Sequence, residues 1–338
     1  MPLQAIKIKP GVNRSGTATS TEGYWYDGDK IRFRLGNAEK LGGWVKDSGT
    51  SGSGPTPPAG SFWGVCRSLW NWVSLKGRNY VGLGTNLKLY VQDSADGDFY
   101  DVTPIRYTST GTATFAATNG SSVLVVTDST HDAQTDDFVL FTDAVSLGGN
   151  ITATVLNNEF AVTLINANTY SIDVGVTANA SDTGNGGGST VAEYEITTGN
   201  EYYSTATGFG AGGWSGVTTG FASTGWGKSA ASGVGVDLRL WSQRNYGEYL
   251  IANPRGGALY MWVPAINAGT FPRAQVLAST NTNTQNGVAY WTTDTSCPSV
   301  CNLIHVSDSS RFLIAFGCND YGETAINPLL VRWSDQED

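Results

Sequence analysis

Three stretches of this chain share one pattern of short apolar runs set between turn residues, and that pattern constrains the fold more than any single motif does. Trp70 to Leu75, Asn79 to Gly84 and Leu87 to Val91 form the first set. Leu238 to Trp241, Glu248 to Ala252 and Ala258 to Trp262 form the second, and Asn302 to Val306, Arg311 to Phe316 and Leu329 to Trp333 the third. Each middle run opens on an aromatic followed by aliphatics, as in Tyr80-Val81, Tyr249-Leu250-Ile251 and Phe312-Leu313-Ile314. Phe99 to Val102 and Ala274 to Leu277 can supply fourth strands. Strands at roughly ten-residue steps in units of about 40 residues predict an all-β chain with a β-propeller-like domain. A generic β-sandwich whose strands share this alternation is the alternative. Three sets are fewer than the typical four to eight blades of a closed ring, so the propeller reading requires other elements, or chain beyond Asp338, to complete it.

Composition agrees with β structure. Charged residues are 14% of the 338, against about 25% in average soluble domains, and Gly, Thr, Ser and Asn take their place. Helix surfaces need Glu, Lys, Arg and Gln, so an all-α fold is excluded. The balance of 20 Lys+Arg against 29 Asp+Glu gives a net charge of −9, which removes the electrostatic basis for tight sequence-independent DNA binding. No window approaches the 18 apolar residues of a membrane helix, and Met1 to Pro10 lacks the apolar core of a secretory signal. Four cysteines are too few for a disulfide framework, which predicts synthesis in a reducing cytoplasm.

Four regions follow. Residues 1–60 hold an aromatic and basic segment and a Gly/Ser/Pro-rich loop; 61–107 hold the first propeller-like part; 108–195 form an inserted β-sandwich; 196–338 hold a Gly/aromatic loop and the second propeller-like part. The insertion is nearly free of Lys and Arg and alternates strongly, as at Ser122 to Thr127 and Tyr170 to Val174. In the Gly/aromatic loop, Phe209, Trp214, Phe221 and Trp226 are spaced among glycines, which suits an ordered loop at a subunit contact or simply on the surface.

Chemistry-bearing motifs are sparse. His131 and His305 lie on separate expected elements and belong to no metal-spaced cluster, which gives both a structural role. Cys297, Cys301 and Cys318 with His305 could bind zinc, but the spacing departs from the usual pattern and Cys301 opens an apolar run, so buried free thiols are expected. Gly227-Lys228-Ser229 lacks a strand and helix around it and is no phosphate loop. Asp27 with Asp29, or Glu193 with Glu195, could supply the two carboxylates of a glycosidase, yet such pairs are common in acidic chains. The expectation is a protein that is not an enzyme and needs no cofactor.

The N-terminal segment is the most specific. Gly11-Val12-Asn13-Arg14, Glu22-Gly23-Tyr24-Trp25-Tyr26-Asp27, Lys30-Ile31-Arg32-Phe33-Arg34 and Glu39-Lys40-Leu41-Gly42-Gly43-Trp44 resemble the opening of structural proteins from tailed bacteriophages. Gly84 to Tyr90, Glu248 to Tyr260 and Val331 to Asp335 agree with it. The resemblance implies a virion protein of the tail hub, nozzle or packaged-DNA stabilisation type, with a propeller-like domain, assembled as a homo-oligomeric ring, usually a hexamer. It also implies contacts with the portal or adaptor and other tail proteins, and passage of double-stranded DNA without sequence specificity during ejection. Trp25, Tyr26, Arg32, Arg34, Trp44, Trp214 and Trp226 would then serve as subunit contacts or as internal packing. The alternative is a peripheral tail or baseplate protein in which the segment around Thr108 to Tyr194 meets a host-surface glycan. A depolymerase of host polysaccharide is a third reading.

Overall fold

Alternation of apolar and polar residues over four to eight positions, broken by Gly, Asn and Asp, gives a chain of antiparallel strands. The computed structural model describes residues 8–42, 61–75, 77–129, 131–197, 239–264, 271–277, 283–285, 288–291, 296–307 and 309–335. Two compact units are present, Met1–Ser48 and Gly49–Asp338.

In the first unit, β1 (Ile31–Arg34) pairs with β2 (Asn37–Lys40) as a hairpin whose turn holds Leu35 and Gly36, both at positive φ. Ile31 and Phe33 share one face and Arg32 and Arg34 the other, as the alternation requires.

The second unit begins with a four-stranded meander, β3 (Cys66–Val73), β4 (Asn79–Thr85), β5 (Leu89–Asp93) and β6 (Phe99–Asp101). Nine strands follow: β7 (Ile105–Thr110), β8 (Thr114–Ala117), β9 (Val123–Thr127), β10 (Phe138–Thr142), β11 (Glu159–Ala161), β12 (Thr163–Asn166), β13 (Thr169–Asp173), β14 (Asp182–Asn185) and β15 (Val191–Glu195). A four-residue helix, α1 (Ala153–Leu156), capped by the Thr152 side chain, precedes β11. These strands form two sheets, β11-β10-β15-β7 and β12-β13-β9-β8-β14, which share one core of Phe115, Leu124, Val126, Phe141, Phe160, Tyr170 and Tyr194.

A second meander comprises β16 (Trp241–Tyr246), β17 (Tyr249–Pro254), β18 (Tyr260–Trp262) and β19 (Gln275–Val276). A short pair, β20 (Asn283–Gln285) and β21 (Val288–Trp291), leads to a three-stranded sheet of β22 (Cys301–Val306), β23 (Leu313–Cys318) and β24 (Val331–Trp333). Trp72, Tyr80, Leu89, Leu250 and Trp262 form a core shared by the two meanders. Ile251, Met261, Cys301, Ile304 and Ala315 join the second meander to the last sheet.

The expected β-propeller-like domain is corrected here. The chain is all-β, but its sheets are open and antiparallel, and among the described residues none closes on itself or curls strongly. The similar strand sets arise because meanders repeat one local grammar of strand and turn. Ring closure is a long-range property that this grammar does not specify. With no closure among the described residues, the expectations of a tail hub or nozzle and of DNA ejection lose their structural basis.

Candidate functional site

The hairpin between β4 and β5 places a lysine where four apolar neighbours would predict another apolar residue. Thr85 holds the turn: its hydroxyl accepts from the backbone N–H groups of Leu87 (3.1 Å) and Lys88 (2.8 Å). The Lys88 side chain is fully buried, and its ammonium lies 4.2 Å from the centre of the Phe138 ring. It ion-pairs with Asp101 Oδ2 at 2.7 Å, Glu159 Oε2 at 2.8 Å and Glu195 Oε1 at 2.9 Å. Arg273, just before β19, pairs with the same three carboxylates, at 2.7 Å to Asp101, 3.1 Å to Glu159 and 2.6 Å to Glu195.

Each carboxylate comes from a different strand end. Asp101 closes β6 and also accepts from the Thr103 N–H. Glu159 opens β11. Glu195 closes β15, where a register shift after Tyr194 lets two successive side chains be buried, against the alternation of a regular strand. The first meander, the nine-strand region and the second meander therefore meet at five charges.

The electrostatics divide the carboxylates. Burial pushes Asp101 up, but the Lys88 and Arg273 charges outweigh it and hold its carboxyl below the usual range. Burial raises Glu195, the Asp101 charge adds to this, and Lys88 offsets only part. Lys88 is pushed down by burial but held firmly protonated by Asp101, Glu195 and Glu159. Three carboxylates and two cations leave one excess negative charge, which acts in the same direction as burial in raising Glu195.

The expectation that the chain is not an enzyme is corrected by this cluster. One carboxylate oxygen from each of Asp101, Glu159 and Glu195 lies within 4.8 Å of the other two, a set consistent with a catalytic or metal-binding centre. An acid with a raised pKa beside one with a lowered pKa is the arrangement that acid–base chemistry requires. Oxygen donors of this kind suit hard divalent cations, but the Lys88 ammonium occupies the point on which they converge, so a metal would have to displace it.

A second feature is the outer face of the five-stranded sheet. Opposite the buried Phe115, Leu124, Val126, Tyr170 and Ile172, register aligns Thr114, Thr127 and Thr169 in one row and Ala116, Val125, Ser171 and Thr163 in the next. Val123 stands across from Asp173. Val123, Val125, Thr127, Thr163 and Asp173 are exposed and the rest half-buried. This face carries hydroxyls and small apolar groups, and these rows contain no Lys or Arg.

The residues singled out from sequence are scattered. Trp25 is half-buried, edge-on to Phe33 at 6.2 Å. Tyr26 is exposed beneath the Arg14 guanidinium, 5.3 Å away, and Arg14 ion-pairs with Asp27. Arg32 pairs with Glu39 at 3.2 Å across the hairpin, and Arg34 is exposed on the same face. Trp44, Trp214 and Trp226 lie outside the described residues. Of the proposed carboxylate pairs, only Glu195 enters the cluster, and its partners are Asp101 and Glu159 rather than Glu193. His131 is buried, its Nδ1 accepting from the Ala133 N–H at 2.9 Å, and His305 is exposed on β22. Sequence reasoning missed Lys88, Asp101, Glu159 and Arg273; a lone lysine inside the apolar run Leu87 to Val91 was the available signal.

No protein-family model matches the chain, and no curated protein matches it. Among solved structures, Phage phi92 endosialidase is similar at 12% identity with a TM-score of 0.22, over 75% of this chain and 40% of that one. The chain thus spans less than half the length of that protein, and the likeness is a remote one to a phage protein on which no argument about activity rests.

Proposed function

We propose that this is a tail protein of a tailed bacteriophage that binds a host-surface glycan. The observation that carries the reading is the outer face of β8, β9, β13 and β12, with its rows of Thr and Ser hydroxyls beside Val and Ala. A sugar ring presents hydroxyls around an apolar C–H face. Ser and Thr hydroxyls donate and accept with equal ease, and the small apolar groups between them can lie against the ring. The exposed apolar and hydroxyl groups are held on rigid strands, so a glycan meets a preformed surface. The resemblance of the blocks from Gly11 to Trp44 to the opening of tailed-phage structural proteins supports the assignment to a tail.

The test is binding of the purified protein to an array of bacterial surface polysaccharides, alongside Val125→Lys and Ser171→Lys. Binding by the parent, weakened at least tenfold in both variants at unchanged melting temperature, is the expected result. A parent that binds no polysaccharide, or variants that bind as the parent does, overturns it.

A second reading is favoured by the gathering of Asp101, Glu159 and Glu195, each offering a carboxylate oxygen within 4.8 Å of the others, namely cleavage of a polysaccharide at this cluster. New reducing ends released by the parent and abolished in Asp101→Asn would support it. Intact polysaccharide after prolonged incubation would remove it.

A further inference from the structure

The last sheet contains two cysteines in register. Cys301, the first residue of β22, is paired with Cys318, the last of β23, and both thiols are free and fully buried. The backbone of Cys301 turns away from this partner: its N–H donates to Gly257 O at 2.9 Å and its carbonyl accepts from the Gly256 N–H at 2.9 Å. The Cys318 carbonyl accepts from Asn327, and the next residue along, Asn319, donates to Val300 O. Cys301 and Cys318 are therefore a non-hydrogen-bonded pair of an antiparallel ladder. In such pairs the Cα atoms stand about 4.5 Å apart and the side chains are closest. That separation lies within the range of roughly 4.4–6.8 Å that a disulfide spans. Directly opposed residues of a ladder project from the same face of the sheet, and both cysteine side chains are buried in one core cluster.

We propose that Cys301 and Cys318 are a latent cross-strand disulfide site, closed when the protein meets an oxidising solution containing a small-molecule disulfide such as oxidised glutathione. One protein thiol loses its proton and attacks a glutathione sulfur, forming a mixed disulfide and releasing one glutathione thiolate. The second protein thiol then loses its proton and attacks the protein sulfur of that mixed disulfide, releasing the second glutathione. Two protein thiols are oxidised and one glutathione disulfide is reduced to two thiols. Burial pushes the Cys301 thiol up to about 12, and the neighbouring Cys318 and Cys297 add to this, which makes the closure slow rather than forbidden. Once closed, the bond fastens the hairpin of β22 and β23 at its open end.

The experiment is incubation of the full chain with oxidised glutathione at mildly alkaline pH, followed by alkylation in denaturant and peptide mapping by mass spectrometry. The expected product links Cys301 to Cys318 with no added glutathione, while the exposed Cys66 takes up glutathione first and faster. The linked protein should melt at a higher temperature, and reductant should reverse the shift. Recovery of Cys301 and Cys318 as alkylated thiols, or linkage of either to Cys297 instead, overturns the proposal. Cys318→Ser should abolish the link; should that variant fail to fold, the mapping of the parent protein still decides.

Discussion

Lys88 Nζ lies 2.9 Å from both carboxylate oxygens of Glu195, a residue 107 positions further along the chain. The contact makes one ammonium a shared partner of strands that local sequence has no means of bringing together. Removing the cation while keeping its stem isolates the effect of charge. Lys88→Met should destabilise the protein by about 3–5 kcal/mol, because three buried carboxylates are left with Arg273 alone. Urea denaturation of the variant and parent measures this, and a difference below 1 kcal/mol would show that the cluster is not a tie.

The two shifted carboxylates set opposite pH dependences. Glu195 is raised in the folded protein, so its contribution is present below its unfolded value near 4.3 and is lost as pH rises toward its folded value. Asp101 is lowered, so its contribution is present above about 3.9 and is lost as pH falls toward its folded value. Glu195→Gln should therefore flatten the decline of stability on the alkaline side of pH 4.3 and leave the acid limb in place. Melting temperature against pH for both proteins checks the sign; an unchanged alkaline slope contradicts the assignment.

Packing of the two meanders rests on a missing side chain. A Cβ added at Gly84 would strike the indole of Trp241, whose Nε1–H donates to Thr85 O at 2.7 Å. Gly84→Ala should cost about 1–3 kcal/mol and shift the tryptophan emission as the indole is displaced. Retention of the parent's melting temperature and emission would mean that the meanders part easily.

In the first unit, the proposal that Tyr26 meets a neighbouring copy makes a separable prediction. The ring is 74% exposed, so Tyr26→Ala should leave folding stability within about 0.5 kcal/mol of the parent while lowering the assembled fraction in sedimentation. Trp25→Ala should instead lower stability through its contact with Phe33. Unchanged sedimentation of the Tyr26 variant would place that ring outside any contact between copies.

Strand content was legible because it is written locally. The run Asn79 to Gly84 lies within β4, and Phe99 to Val102 overlaps β6, since alternation and flanking turn residues are short-range signals. Closure was not legible, because whether meanders close into a ring depends on angles between sheets that no window of ten residues encodes. Glu193 and Glu195 illustrate the same limit within a site. Two residues apart on a strand implies a shared face, but the register shift after Tyr194 redirects Glu195 into the interior. Glu195 and the lone Lys88 in an apolar run were the legible traces of the cluster, and Asp101, Glu159 and the second cation Arg273 lie too far along the chain for spacing to reveal.

The five-charge junction also predicts an order of events during synthesis. Asp101, Glu159 and Glu195 emerge from the ribosome with Lys88 already made, but Arg273 follows 78 residues after Glu195. Until then three carboxylates face the single cation Lys88, an imbalance that raises the cost of drying their shared interior. Arrival of Arg273 permits that interior to dry and tighten, so a chain truncated before this point should be distinguishable from a finished one by its swollen, protease-sensitive centre.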